Sequence, residues 1–197
     1  VSMSAGTFLD ADNSLTVSGT LTQSGNITID VLTDKTLTYT GAAVNLGAKT
    51  LTLSGGGTFS NTNALDLNDA DSKLLLNSIT VDSVSTSANS LGLDVDADST
   101  VSSLSVGHIT PVSIAGGISL SGAITVLGAT APDWIAGSIK LAETGTLASS
   151  ISMSGGTTLD ADNSLTVSGT LTHTGNISIE VATNKTLTYS GAAISVG

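Results

Sequence analysis

The chain has 197 residues, of which 22 are Gly, 30 Ser and 30 Thr; aromatic residues make up 3%, and Cys and Arg are absent. This disfavours helix, excludes a disulfide framework and leaves an aliphatic core as the means of burying surface. Five Lys against 16 Asp and Glu give a net charge of −11, which repels nucleic acid and anionic membrane. No apolar run approaches the roughly eighteen residues of a spanning helix, and 40% hydrophobic residues argue against disorder.

In chain order, the first segments show the two-residue period of a half-buried strand. Leu15 and Val17 stand between Ser14, Thr16 and Ser18; Leu37 and Tyr39 between Thr36, Thr38 and Thr40; Leu51 and Leu53 between Thr50, Thr52 and Ser54. The runs end at Gly19, Gly25, Gly41, Gly47 and Gly55, residues suited to sharp corners. Strands this short leave no room for crossover helices, and the Asn-Gly and Asp-Gly pairs of tight hairpins are missing. The step from Leu15 to Leu37 is much longer than the step from Leu37 to Leu51, which places Leu51 on a different side of the same coil. Thr-x-Thr pairs such as Thr36 with Thr38 predict hydroxyl ladders, but not in every coil as an ice-binding face requires, so they read as ordinary strand-surface threonines.

Residues 108–136 break the rhythm. They hold both prolines, Pro111 and Pro132, and the single Trp134. Proline removes a ladder donor, which predicts a bulge or protruding loop at Ala131–Trp134. Pro132, Asp133 and Trp134 then form a candidate contact loop for a sugar or a neighbouring fibre; the alternative is a Trp plugging a wide core.

Residues 1–47 return without a gap as residues 151–197, with 34 of 47 positions identical. Residues 1–150 thus read as one unit and 151–197 as the start of the next, continuous with the first and part of a longer array. Short strands, glycine corners and tandem repetition together predict an all-β fold, a parallel β-solenoid of about 20–22 residues per coil in three short strands. A unit then holds about seven coils and advances roughly 34 Å. The rival is a string of tandem β-sandwich domains, disfavoured by the scarcity of aromatics and of hairpin turns.

The acidic residues cluster: Asp10 with Asp12, repeated as Asp160 with Asp162; Asp69 with Asp71; and Asp94 with Asp96 and Asp98. Carboxylates two residues apart on an extended chain point the same way and can converge on Ca²⁺, the one candidate cofactor. The calcium β-roll pattern of glycines is absent, and the alternative is that these residues solvate corners and keep fibres apart. His173 replaces Gln23 of the first copy and His108 stands alone; with no Arg or Cys, no nucleophilic triad can be assembled, so the expectation is a protein that is not an enzyme.

Stretches such as DNSLTVSGTLTQSGNITI, DKTLTYTGAAVNLGAKTLTLSGGGTFS and STVSSLSVG resemble the passenger repeats of large secreted bacterial β-helix proteins of the filamentous-haemagglutinin and autotransporter adhesin type. The resemblance covers nearly the whole chain, in composition and rhythm. It implies a right-handed parallel β-helix, export, an extracellular or cell-surface location, and a role as stalk, fibre or adhesin. The expected partners are further copies of the chain or adjoining repeats, then a host or cell-surface glycan or protein. Two alternatives stand beside a structural shaft: an adhesin module binding through lateral loops, and a surface-layer subunit.

Overall fold

The computed structural model describes residues 1–129 and 137–194. Among them every paired strand runs parallel and there is no helix: the chain is a parallel β-solenoid of nine laps. One sheet takes a strand from each lap, in order Phe8–Ala11, Ile27–Val31, Thr50–Ser54, Lys73–Asn77, Gly92–Val95, Ile109–Ile114, Ser138–Leu141, Thr158–Ala161 and Ser178–Val181. After a corner the chain enters a second sheet, which begins at Leu15–Val17 and Thr36–Tyr39 and ends at Leu165–Val167 and Leu187–Tyr189. A third face carries Val44–Asn45, Leu65–Leu67, Ser150–Met153 and Leu171–His173. In the middle laps the second and third faces merge into single strands, Thr80–Thr86, Ser99–Val106 and Ser119–Val126, so the expectation of three short strands holds for the outer laps only.

As the spacing predicts, Leu15 pairs with Leu37, while Leu51 lies in the other sheet beside Ile27. Lap length varies more widely than the sequence rhythm suggests. The step between stacked partners is short from Leu74 to Leu93, longer from Ile29 to Leu53 and longest from Val112 to Leu141. The longest lap contains the stretch where the rhythm breaks; Pro132, Asp133 and Trp134 lie outside the described residues. Pro111 lies among the described residues. It sits inside the strand Ile109–Ile114, in register with Lys140, and the glycine beside it, Gly92, holds φ +82° with its missing Cβ pointing at the Pro111 carbonyl.

Parallel register puts like on like. Val44, Leu65, Val84, Leu104, Ile124, Ile151 and Leu171 stack as one buried aliphatic column, each side chain shielded by those above and below. Outward positions stack hydroxyls: Thr36, Thr58, Thr80, Thr100 and Ser121 form one ladder across five laps.

Two tyrosines lock corners. Tyr39, fully buried, packs against Phe59 with centroids 6.4 Å apart; its hydroxyl donates to the Ala42 carbonyl at 2.9 Å and accepts from the Leu21 amide at 3.0 Å. Tyr189 repeats this with Ala192 at 2.6 Å and Leu171 at 3.1 Å. Tyr39→Phe removes both hydrogen bonds at once and is expected to cost about 1–3 kcal/mol, since the buried Leu21 amide is left unpaired and the part-buried Ala42 carbonyl loses its donor; chemical denaturation measures it.

Candidate functional site

The densest ionic contact among the described residues lies where the second copy of the repeat meets the first. Thr158–Ala161 stacks on Ser138–Leu141 with Asp160 in register with Lys140. The Lys140 ammonium reaches both carboxylates, Asp162 at 3.1 Å and Asp160 at 3.7 Å. The carboxylates two residues apart do converge on a cation here, and that cation is a side chain of the lap below. Hydrogen bonding to Asp162, then the charges of Asp162 and Asp160, hold the Lys140 amine above its ordinary range. Backbone contacts close the junction: the Asp162 amide donates to the Leu141 carbonyl at 2.9 Å and the Ser168 amide to Leu147 at 3.0 Å, and the Asn163 side chain donates to the Ala142 carbonyl.

The equivalent residues of the first copy, Asp10 and Asp12, occupy the outermost lap, and among the described residues no lysine is paired with them. Both are exposed, with Asp30 of the next lap in register with Asp10. Local desolvation, then the charges of Asp12 and Asp30, raise the Asp10 carboxyl above its ordinary range. A carboxyl whose folded value is raised opposes folding once ionised, so this contribution is lost from stability as pH rises from the unfolded value of 3.8. Asp10→Asn is therefore expected to stabilise the chain at pH 7 and to change little in acid. Asp160→Asn at pH 7 is expected to act in the opposite direction, because it removes a Lys140 partner. Chemical denaturation of both variants at the two pH values checks the pair, and added salt weakens both effects.

The other acidic residues of the clusters lie apart from this contact. Asp94 pairs with Lys73. Asp69 accepts the Asp71 amide at 3.0 Å inside a turn closed by Ser72, and Asp98 accepts the Ser119 amide at 2.8 Å; Asp96 is exposed. Three further aspartates take serine hydroxyls across laps: Asp30 from Ser54, Asp82 from Ser60 at 2.6 Å, and Asp66 from Ser85 and Ser87 at 2.9 and 2.6 Å. Among the described residues no three carboxylates or imidazoles come together as a metal site.

One groove opens on a corner, about 350 Å³, lined by Gly56, Ser78, Thr80, Asp98, Ser99 and Ser119 among others. It forms where the short corner at Ser78, with φ +56°, sits between longer ones. Its polar groups largely satisfy one another: Ser99 Oγ donates to the Ala97 carbonyl and accepts the Ile79 amide, and Thr100 bonds Ser121 at 2.7 Å.

No family model, curated protein or solved structure matches this chain. What the site can do follows from its own geometry: it holds one lap on another through a paired charge, backbone bonds and buried aliphatic side chains. The sequence alone singles out Asp160 and Asp162 but not Lys140. The signal is present all the same, because Lys140 precedes Asp160 by the length of one lap.

Proposed function

We propose that the chain is a structural segment of a long extracellular β-solenoid, the shaft of a fibre or adhesin, which continues end to end through further repeats. One observation carries the reading. The equivalent strands Phe8–Ala11 and Thr158–Ala161 belong to the same sheet, seven laps apart, so a 150-residue unit contains a whole number of laps and the next unit extends the same sheets without a linker. Such a shaft works mechanically. Backbone groups of each lap pair with the laps on either side, and the continuous aliphatic column excludes water, which resists both pulling and proteolysis.

The extracellular setting and the adhesin role come from the resemblance in composition and rhythm described above. The acidic surface supports it, since net negative charge keeps parallel shafts from clumping at low salt. Electron microscopy of the native material tests the reading: long filaments of uniform width are the expected result. A two-dimensional lattice would replace it with a surface-layer role, and isolated compact particles would leave no shaft.

A further inference from the structure

We infer that Asp10 and Asp12 are the acceptor half of a unit-to-unit junction, filled in the assembled shaft by the Lys140 ammonium of a second copy of the 150-residue unit, and that this contact sets the register in which units join. The inference rests on the shaft reading and names the residues by which one unit meets the next.

The chain contains this junction twice, once made and once open. In the made copy Lys140 bridges Asp160 and Asp162, and Leu159, Leu165 and Val167 are buried against the lap below. In the open copy the same residue types occupy Leu9, Asp10, Asp12, Leu15 and Val17, all at least partly exposed. What covers this edge is therefore shown by its duplicate: a lap with the sequence of residues 137–147. A glycine gives independent support. A Cβ on Gly169 would meet the Ser149 carbonyl at 1.8 Å, whereas one on the equivalent Gly19 meets nothing within 4 Å. Gly19 is shaped for a lap that the open edge does not contain.

The ion pair supplies what the rest of the edge lacks. Aliphatic side chains and backbone groups accept almost any neighbouring strand, so a slip by one lap would still bury apolar surface. Charge discriminates. In the column that carries Lys140, the preceding lap offers Pro111, which has no charge to set against two carboxylates. Asp10 already faces Asp30 on its other side, so the cation must come with the next unit.

The test extends the 197-residue chain at its N-terminus by one further 150-residue unit, which places a Lys140 beneath Asp10 and Asp12. Amide hydrogen exchange and NMR titration of labelled aspartate carboxyls are compared with the unextended chain. In the extended chain the Asp12 and Thr16 amides are expected to slow by at least about a hundredfold, and the upward displacement of Asp10 to disappear. Lys140→Met in the added unit should restore that displacement, and Lys140→Arg should not. Gly19→Ala, silent in the unextended chain, should destabilise the extended one. If the amides gain protection but Asp10 titrates as before and Lys140→Met changes nothing, the ion-pair junction is wrong while the shaft stands. If the added unit leaves those amides as fast as before, the stacking of units is itself wrong.

Discussion

Gly122→Ala is expected to be among the most damaging single-methyl additions in this chain, costing about 4 kcal/mol or more. Gly122 lies inside the strand Ser119–Val126 with φ +117°, and a Cβ there would fall 1.8 Å from the Val101 carbonyl of the lap below. Two penalties combine. The backbone angle is one that L-residues avoid, at about 1–3 kcal/mol, and the clash is with backbone that no rotamer change can move aside. Relief requires separating Ser99–Val106 from Ser119–Val126, next to the register shift between Val101 and Leu104. Gly117→Ala is the control: φ is +80° but the space is open, so only the conformational cost of about 1–2 kcal/mol applies. Equal losses for the two variants in chemical denaturation would show that lap-to-lap contact does not constrain Gly122.

Leu76→Asp is expected to break the shaft in its middle. Leu76 is fully buried between Leu53 of one lap and Val95 of the next. A carboxylate there has no partner in an aliphatic column, and the loss should exceed about 4 kcal/mol. Leu76→Ala, which leaves a cavity without a charge, should cost about 2–5 kcal/mol. Because each lap contacts only its neighbours, the damage should divide the molecule instead of spreading evenly. Denaturation of Leu76→Asp is expected to separate into two phases, with the laps on either side melting independently, where the parent chain melts in one. A single cooperative transition in the variant would mean that the laps communicate by another route.

Much of this fold is legible in the sequence because a parallel solenoid writes its rules locally. Alternation of Leu15 and Val17 with hydroxyl residues states which side is buried, and the short step from Leu37 to Leu51 states that the chain has turned a face. The 150-residue repeat shows directly which segments are equivalent. What stays hidden is pairing between laps. Register depends on lap length, which is short where Leu74 pairs with Leu93 and longest where Val112 pairs with Leu141, because corners absorb extra residues without disturbing the strands. For that reason Asp160 and Asp162 stand out as a pair, while Lys140, one lap earlier, is recognisable as their cation only once the local lap length is known. The same variation hides the serine hydroxyls that Asp66 and Asp82 accept from adjacent laps. The merging of two faces at Thr80–Thr86 is likewise unannounced, since no glycine or proline separates them there.

The central claim is that each lap is held by the laps stacked on it, and the chain carries its own control. The amides of Asp162, Thr166 and Ser168 donate to carbonyls of the lap below, whereas Asp12, Thr16 and Ser18, in the same local sequence DADNSLTVSGT, belong to the outermost lap. Hydrogen exchange measured residue by residue on the 197-residue chain should find the first three slower than their counterparts by at least about a hundredfold. Equal rates at the two sets, as separate domains of identical sequence would give, would contradict the account.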